Sequence, residues 1–377
     1  MRSRLLSAVA PATGTFVLAR IVLWLAALGT EKSVWDVETW RQWDSAHYLS
    51  IAERGYVLIS CREVPGQRPD EWCGNSGWMP GYPILVRAVG VTGLDLVTAG
   101  VLVSSVFALL TLVLVDVAFV RRETWRVRLA TLGLAAFFPG FVYFHAAFPM
   151  SLAAFLQILM VRQLAREDWL SAGMAGWGLA LSYTTGALAA LPGAAAPWLR
   201  PSQGNWRERL RASAVSGGLC LAGAATVLLV HWWTTGAWNA LLLSQHKYRR
   251  SAWFPLGTLL RLMKRMTWVE WDDPRMLDGA QAVLVACIVL SAAAVVLWRW
   301  RRASPLDLIA LSCALVFWLG PMTSGPRGNA FYRTEALILP VVLVTRRLPF
   351  ACQVILLVMS AIAGFGLARL FFQGRVV

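Results

Sequence analysis

Charged residues are scarce in this chain. Asp, Glu, Lys and Arg make up 15% of its 377 residues, whereas 58% are hydrophobic and the mean hydropathy is +0.57. A soluble domain carries about 25% charged residues, so the shortage excludes a large soluble fold. The composition instead predicts an all-α polytopic membrane protein, whose length allows roughly ten spans of about 20 residues each.

Acidic residues are the scarcer kind of charge. The chain has 20 Asp and Glu against 35 Lys and Arg, which gives a net charge of +15 and a pI near 10.4. The Arg residues fall in short clusters between apolar stretches, as in residues 121–128. That distribution follows the positive-inside rule. The basic balance therefore indicates membrane topology and contact with anionic lipids, and no nucleic-acid partner is expected.

Cysteine and histidine do not cluster in a way that predicts a metal site. No CxxC motif or His/Cys group with zinc spacing occurs among the six Cys and four His residues, so no metal is expected. Cys61 and Cys73 lie together in a polar loop and form a candidate disulfide if that loop is extracytoplasmic. The sequence leaves open whether they are bonded. The other four lie in apolar spans, where they pack as small hydrophobes: Cys220, Cys287, Cys313 and Cys352.

The apolar stretches predict roughly eleven transmembrane helices, within a range of about nine to thirteen. The basic amino terminus and a long first apolar segment without a cleavage site predict a retained first helix with a cytoplasmic amino terminus. The chain is interpreted as one membrane domain, 1–377, with extracytoplasmic loops at 30–79 and 236–275. The expected spans are 9–28, 96–120, 129–147, 150–164, two short ones within 169–199 broken near 183–186, 213–234, 276–297, 305–322, 333–345 and 348–372.

The second loop is basic although it is expected outside. Long loops translocate largely regardless of their charge, so the topology is retained. The misplaced positive charge suggests that this loop binds a phosphate near the outer leaflet. The residues concerned are His246, Lys247, Arg249, Arg250, Arg261, Lys264 and Arg265.

A carboxylate flanked by aromatic residues follows the first span. Asp44 lies on one helical face with other large side chains, and Gly55 is a suitable helix stop. This pattern predicts an amphipathic helix on the outer membrane surface. Two interpretations stay open: an anchoring helix with a solvated Asp44, or a carboxylate that does chemistry on a lipid-linked sugar. The face consists of Trp40, Asp44, His47, Tyr48 and Ile51.

Four other places combine polar groups or prolines with apolar surroundings. Arg20 lies near the middle of the first span and is expected to face the protein interior, because a charge exposed to lipid is costly. Residues 77–83 contain two prolines and predict either a helix-starting turn or a re-entrant segment. The stretches 244–250 and 325–335 place Arg or Lys beside aromatic residues, a pattern that suits phosphate and sugar rings.

The stretch from Trp43 to Tyr56 resembles the signature of the PIG-V family, which comprises GPI mannosyltransferase 2 and its bacterial relatives. It matches Trp-Asp-Ser-x-His-Tyr/Phe-x-x-Ile-Ala-x-x-Gly-Tyr. Residues 78–83 are similar to the element that follows in the family and keep both prolines and Tyr82. Looser similarities lie at 137–141, 148–152, 244–248 and 327–333. The stretch 148–152 lacks the Glu that the family has there. In this chain the signature is Trp43-Asp44-Ser45-Ala46-His47-Tyr48-Leu49-Ser50-Ile51-Ala52-Glu53-Arg54-Gly55-Tyr56.

The resemblance implies a glycosyltransferase of the polytopic C type (GT-C). Such an enzyme has a catalytic carboxylate in its first extracytoplasmic loop and takes a polyprenyl-phosphate sugar as donor. It uses no nucleotide sugar, in agreement with the absence here of a glycine-rich phosphate loop or a DxD metal motif. No cofactor is expected.

The expected activity is that of an inverting mannosyltransferase at the outer face of a bacterial plasma membrane. It moves mannose from polyprenyl-phosphate-mannose to a glycolipid or lipid-linked acceptor, with Asp44 as the general base. The alternative is a non-catalytic protein that binds or translocates lipids on the same scaffold. A secondary transporter is a weaker alternative, since no inverted repeat is visible. The oligomeric state stays open.

The remaining site residues are assigned by their chemistry. Lys247, Arg327 and Arg333 are expected to stabilise the phosphate of the leaving group. His47 and Tyr48 would orient Asp44 or the sugar. The expected sugar-stacking residues and further substrate contacts are Trp43, Tyr56, Tyr82, Gln245 and Tyr332.

Overall fold

The computed structural model describes residues 2–199, 205–246, 254–268, 274–323 and 331–376. It is 77% helical, and the strands form only one two-stranded ribbon within these ranges, so the protein is all-α. This confirms the predicted structural class.

Sixteen α-helices and two strands make up the described part of the chain, with short 3-10 segments between them. The helices are α1 Arg2–Ala27, α2 Ser45–Arg54, α3 Gly81–Gly90, α4 Leu96–Val115, α5 Trp125–Ala136, α6 Met150–Ala165, α7 Trp169–Ser182, α8 Ala190–Ala195, α9 Trp206–Thr235, α10 Ala240–His246, α11 Pro255–Trp268, α12 Pro274–Trp298, α13 Pro305–Met322, α14 Phe331–Thr334, α15 Val342–Thr345 and α16 Phe350–Phe372. The strands are β1 Leu58–Ser60 and β2 Trp72–Gly74.

Several helices are long and apolar enough to cross a membrane, as predicted. Within the described ranges there are six of them, and α6 is a shorter apolar helix. The prediction of a membrane protein is thereby supported, whereas the expected number of roughly eleven spans exceeds this set. The six segments are Val9–Ala27, Leu96–Val120, Trp206–Thr235, Arg275–Trp298, Pro305–Met322 and Phe350–Phe372.

Two expected spans, 129–147 and 333–345, are broken rather than continuous helices. Helix α5 ends at Ala136, and the chain continues through Pro139 and Gly140 into a 3-10 turn at Phe141–Phe144. Gly140, the N-cap of this turn, has φ 84°, a left-handed conformation that favours glycine. The late segment likewise consists of α14, a 3-10 turn at Glu335–Val341 and α15. Pro340 in this turn has no N–H to donate.

The predicted helical face around Asp44 is also corrected. Trp40 ends a separate 3-10 turn, Val37–Trp40, and α2 begins only at Ser45. Trp43 has φ 45° and breaks the helical path between them. Asp44 occupies the N-cap position of α2, but its side chain makes no capping hydrogen bond. The predicted stop at Gly55 is confirmed, since it has φ 85° directly after Arg54.

The first loop folds into a ribbon closed by a disulfide. Strands β1 and β2 are antiparallel, with Ile59 opposite Cys73. A disulfide joins Cys61 to Cys73, the pair whose bonding the sequence left open. Asn75 ties the ribbon to α2: its side chain accepts from the Val57 N–H at 2.7 Å and donates to the Gly55 carbonyl at 3.0 Å. The loop is therefore ordered by covalent and polar links rather than by a large core.

Small residues allow close helix packing beside this loop. A Cβ at Gly176 of α7 would lie 2.1 Å from Cys220 Sγ of α9, and one at Gly223 would lie 2.6 Å from the Trp177 carbonyl. Such small-residue contacts bring two membrane helices together. Because they fix the rotation of α9, they also decide which of its side chains face the first loop.

The structure also shows how residues 77–83 and Arg20 are placed. Residues 77–83 form a helix-starting turn, because Pro80 caps α3 and Pro83 sits in its first turn, where a missing N–H is harmless. Arg20 turns toward the protein as predicted. Its guanidinium lies over the Trp40 ring, with Cζ 4.7 Å from the ring centroid.

Candidate active site

An ion pair joins the first loop to the last third of the chain. Arg333 Nη2 lies 2.7 Å from Asp44 Oδ2, and the two side chains are 13% and 25% exposed. Asp44 starts α2 and Arg333 belongs to α14, so the contact forms only when the whole bundle is assembled. The structure thus brings together the predicted base and one of the predicted phosphate ligands.

The Arg333 guanidinium keeps unused hydrogen-bonding capacity. Its Nε and Nη1 are buried and have no hydrogen-bond partner among the described residues. Arginine presents its donors in a rigid fork that suits carboxylate and phosphate oxygens. One Arg333 side chain can therefore hold Asp44 through Nη2 and a second anion through the remaining N–H groups.

Aromatic rings surround the guanidinium. Arg333 Cζ lies 5.3 Å from the centroid of the Phe148 ring, a cation–π distance. Tyr143 stacks on Tyr332 with centroids 6.2 Å apart and planes inclined by 26°. The Phe148 ring therefore limits the directions that the guanidinium can take.

A buried amide positions the short helix that carries Arg333. Gln281 of α12 donates through Nε2 to the Tyr332 carbonyl at 2.9 Å and to Glu335 Oε2 at 2.8 Å. The two contacts bracket Arg333 in sequence. Since α14 spans only one turn, this link to a long helix fixes the place of the guanidinium.

Trp43 stands beside Asp44 in an unusual backbone conformation. Its φ of 45° lies in the left-handed region, which bulky residues rarely adopt. The ring is 52% exposed. Strained residues of this kind cluster at functional sites. The exposed indole next to the carboxylate is where the sequence placed a sugar-stacking surface.

His47 and Tyr56 are linked through one residue of the first loop. The His47 ring stacks on Trp78 with centroids 3.6 Å apart and planes inclined by 14°. Tyr56 donates its hydroxyl to the Trp78 carbonyl at 2.8 Å. His47 therefore has a fixed orientation one turn beyond Asp44, whereas the Tyr56 hydroxyl is already engaged within the protein.

Tyr48 and Tyr56 keep their phenol protons at neutral pH. Burial, followed by the charges of Tyr183 and Asp44, raises the pKa of Tyr48 well above its ordinary value. Burial likewise raises the pKa of Tyr56. A raised phenol pKa keeps the proton on the oxygen at neutral pH. Neither side chain can serve as a general base beside Asp44.

The expected substrate contact of Tyr82 does not fit its position. Tyr82 is fully buried, its hydroxyl donates to the Gly100 carbonyl at 2.9 Å, and it lies 3.0 Å from Ser104 Oγ. Ser104 in turn donates to the Phe148 carbonyl at 2.9 Å. Tyr82 therefore supports the Phe148 ring under Arg333 and does not reach a substrate itself.

The remaining predicted residues divide into described and undescribed ones. Gln245 donates through Nε2 to the Gly77 carbonyl at 3.1 Å and so faces the first loop. Tyr332 stacks on Tyr143 beside Arg333. Lys247 and Arg327 lie outside the described residues, and their roles stay predictions.

The sequence interpretation missed three aromatic or titratable residues near this site. Tyr143 and Tyr183 act electrostatically on Tyr48, Asp44 or Arg333, and both are buried. His231 of α9 packs edge-on against Tyr56, with ring centroids 4.6 Å apart. An ionisable residue in an apolar span is itself a signal of function, and it could have identified His231.

No group of three or more His, Cys, Asp or Glu side chains in the described part of the chain could hold a metal ion. The chain matches no model of a known protein family and no curated protein. The resemblance to the PIG-V family therefore rests on the signature from Trp43 to Tyr56 and the looser similarities that follow it.

Proposed function

We propose that the protein is an inverting, membrane-embedded mannosyltransferase of the GT-C type, related to the PIG-V family. It would move mannose from polyprenyl-phosphate-mannose to a glycolipid or lipid-linked acceptor. The observation that carries this proposal is the contact of 2.7 Å between Asp44 and Arg333, in which the guanidinium keeps two further buried nitrogens without a partner.

Asp44 acts as the general base in this reaction. Its carboxylate takes the proton of the acceptor hydroxyl while that oxygen attacks the anomeric carbon of the donor. The bond between the anomeric carbon and the phosphate oxygen breaks, and polyprenyl phosphate leaves. One displacement at this carbon inverts its configuration. The raised pKa values of Tyr48 and Tyr56 support Asp44 as the base among these three neighbours.

Arg333 stabilises the negative charge that develops on the leaving phosphate. Its Nε and Nη1 donors are fixed before the reaction by Phe148 and Asp44, so they need little reorganisation when the charge forms. Lys247 and Arg327 are proposed as further phosphate ligands. No nucleotide sugar takes part in the proposed reaction, and no metal or cofactor is proposed.

The aromatic surfaces suit the sugar. Trp43 offers an exposed ring beside Asp44, and Tyr332 lies beside Arg333. Aromatic faces bind the C–H faces of a sugar ring, whereas its hydroxyls need polar partners. The site thus has separate groups for proton transfer, leaving-group charge and ring binding.

The membrane context supports a lipid-linked donor. The chain has helices long enough to span a bilayer. Further crossings would come from α5, α6, α7, the stretch 186–198 that contains α8, and the segment 331–345, which together with the six long helices gives the proposed total of about eleven. A disulfide in the first loop suits an oxidising compartment. We therefore place the site on the outer face of a bacterial plasma membrane, with the amino terminus in the cytoplasm.

The test is a transfer assay with purified protein in lipid nanodiscs. The donor is radiolabelled polyprenyl-phosphate-mannose, and a panel of glycolipids and lipid-linked sugars serves as acceptors. We expect the wild-type protein to form a labelled product. Asp44→Asn should lose about 10²–10⁴-fold in rate, since the amide cannot take the proton.

Glu53→Gln is the matched control, because Glu53 is an exposed carboxylate on the same helix, α2. It should keep the wild-type rate, and the melting temperature of both variants should stay close to that of the wild type. Near-normal transfer by Asp44→Asn would show that Asp44 is not the general base. Donor binding without turnover by the wild type would favour a lipid-binding or lipid-translocating protein instead.

A further inference from the structure

A buried histidine lies near the outer end of α9, the expected outer side. His231 is 0% exposed although it belongs to a helix long enough to cross the membrane. It continues the inward-facing stripe of α9, one turn after Val227. Neither ring nitrogen has a hydrogen-bond partner in the part of the chain that the structure describes. A buried polar group in this state is costly, so it calls for a partner that the described residues do not provide.

The neighbours of His231 connect it to the candidate active site. Its ring meets the Tyr56 ring edge-on at 4.6 Å, with planes inclined by 78°. The Tyr56 hydroxyl is bound to the Trp78 carbonyl, and Trp78 stacks on His47 of α2. The chain of contacts from His231 to the helix that begins beside Asp44 is thus continuous.

Two more side chains with unsatisfied polar atoms face the same loop from α10. A Cβ at Gly77 would lie 3.7 Å from Ser244 Cβ, and Gln245 Nε2 donates to the Gly77 carbonyl. Ser244 is 2% exposed. The Ser244 hydroxyl and the Gln245 amide oxygen have no hydrogen-bond partner among the described residues. Ser244 and Gln245 of α10 thus lie beside Gly77, and His231 of α9 connects to the next residue, Trp78, through Tyr56.

The chemistry of these atoms selects the kind of ligand. An imidazole and a hydroxyl can each donate and accept, and an amide oxygen accepts. Such a set complements neutral hydroxyl groups, which also donate and accept. A phosphate binds best beside cationic side chains, and Arg333 provides one next to Asp44. One turn before His231 on α9, Val227 packs with Met79 and Leu181 in a buried apolar cluster, which offers no polar partner on that side.

We propose that His231, Ser244 and Gln245 form a subsite for the hydroxyl groups of a sugar. This inference rests on the proposed function and extends it, because it assigns sugar recognition to α9 and α10 rather than to the first loop alone. The sugar is either the mannose of the donor or the terminal sugar of the acceptor. The KM for the donor and the KM for the acceptor distinguish these two sugars.

The deciding variant is His231→Phe, which keeps a ring against Tyr56 and removes both nitrogens. Ser244→Ala tests the second member. Thr234→Val is the matched control, because Thr234 is an exposed hydroxyl residue on the same helix and its hydroxyl donates to backbone carbonyls of that helix, Val230 at 2.7 Å and His231 at 3.5 Å, and not to the His231 ring. We expect roughly a tenfold rise in KM for one substrate in His231→Phe and in Ser244→Ala, with the control unchanged.

The melting temperature without ligand distinguishes recognition from a structural role. Removing an unsatisfied buried polar group should leave that temperature unchanged or raise it. A rise in the donor KM assigns the subsite to the donor sugar, and a rise in the acceptor KM assigns it to the acceptor. Wild-type KM values for both substrates in His231→Phe, or a large drop in its melting temperature, would overturn the proposal.

A ligand-binding experiment tests the subsite even if the protein transfers no sugar. The shift in melting temperature is measured with a short-chain polyprenyl-phosphate-mannose, with the sugar-free phosphate and with the soluble headgroup of each acceptor. The sugar-bearing ligand or an acceptor headgroup should stabilise the wild type more than His231→Phe, whereas the sugar-free phosphate should act equally on both. Equal shifts in the two proteins with every ligand, or no shift in either, would reject the subsite. Absence of transfer by the wild type would instead reject the proposed function.

Discussion

Arg333 has more donors than Asp44 uses. The ion pair occupies Nη2, while Nε and Nη1 are buried in a guanidinium that lies over the Phe148 ring. A lysine at this position would keep the charge but would present a single rotatable ammonium group. It could not bind a carboxylate and a phosphate at fixed relative positions.

We therefore expect Arg333→Lys to lower the transfer rate by about 10²–10³-fold, the usual cost of losing a donor that stabilises developing charge. The measurement is kcat and KM for polyprenyl-phosphate-mannose in nanodiscs. Arg54→Lys is the control, since Arg54 is an exposed arginine at the end of α2. A kcat within twofold of the wild type would show that the leaving group does not depend on the Arg333 fork.

At the level of elements, the end of α4 depends on one buried ion pair. The helix changes to a π-turn at Asp116–Val120, and Asp116 is 0% exposed. Arg128 of α5 binds it with two hydrogen bonds, Nε to Oδ1 at 2.6 Å and Nη2 to Oδ2 at 2.8 Å. Breaking such a pair leaves a buried charge without compensation, whereas replacing both partners by apolar residues is often neutral.

Asp116→Asn should therefore lower the free energy of unfolding by about 3–5 kcal/mol. The double variant Asp116→Leu with Arg128→Met should recover most of that loss. The measurement is the denaturation midpoint in detergent, together with the donor KM of the folded protein. A KM that changed in the double variant would contradict a purely structural role for this pair.

At the level of the whole molecule, the site and a network of basic residues lie at opposite ends of α4. The Tyr82 hydroxyl binds Gly100 near the start of α4, and α4 spans about 30 Å. At its far end, the Arg346 guanidinium donates to the Phe119 carbonyl at 3.2 Å and to Asp307 at 3.1 Å. The basic cluster of residues 121–128 lies at the same end, as expected for the cytoplasmic side.

This arrangement predicts the outcome of cysteine labelling in right-side-out vesicles. Gln67→Cys, in the loop that the disulfide closes, should react with a membrane-impermeant maleimide in sealed vesicles. Arg122→Cys should react only after permeabilisation. Both positions are exposed, and the wild-type chain gives the background. Labelling of Gln67→Cys only after permeabilisation would place the candidate site on the cytoplasmic side.

Local patterns predicted much of the framework because they depend on neighbours in sequence. The long apolar runs predicted α1, α4, α12, α13 and α16, and Gly55 predicted the end of α2. Hydropathy did not predict the breaks within the spans expected at 129–147 and 333–345, where Pro139, Gly140 and Pro340 interrupt apolar runs. Such irregular segments are tolerated at membrane depth only where the protein shields their backbone polar groups from lipid. The residues around these breaks are buried within the bundle.

The sequence by itself determined that this is an all-α membrane protein and nominated Asp44 and Arg333 as chemical groups. Only the tertiary structure decided that the two touch, that Tyr82 packs beneath Phe148, and that His231 faces Tyr56. The physical reason is that hydropathy and helix signals act over a few residues. An ion pair between α2 and α14 depends instead on how every intervening helix packs, down to the glycines that set the rotation of α9.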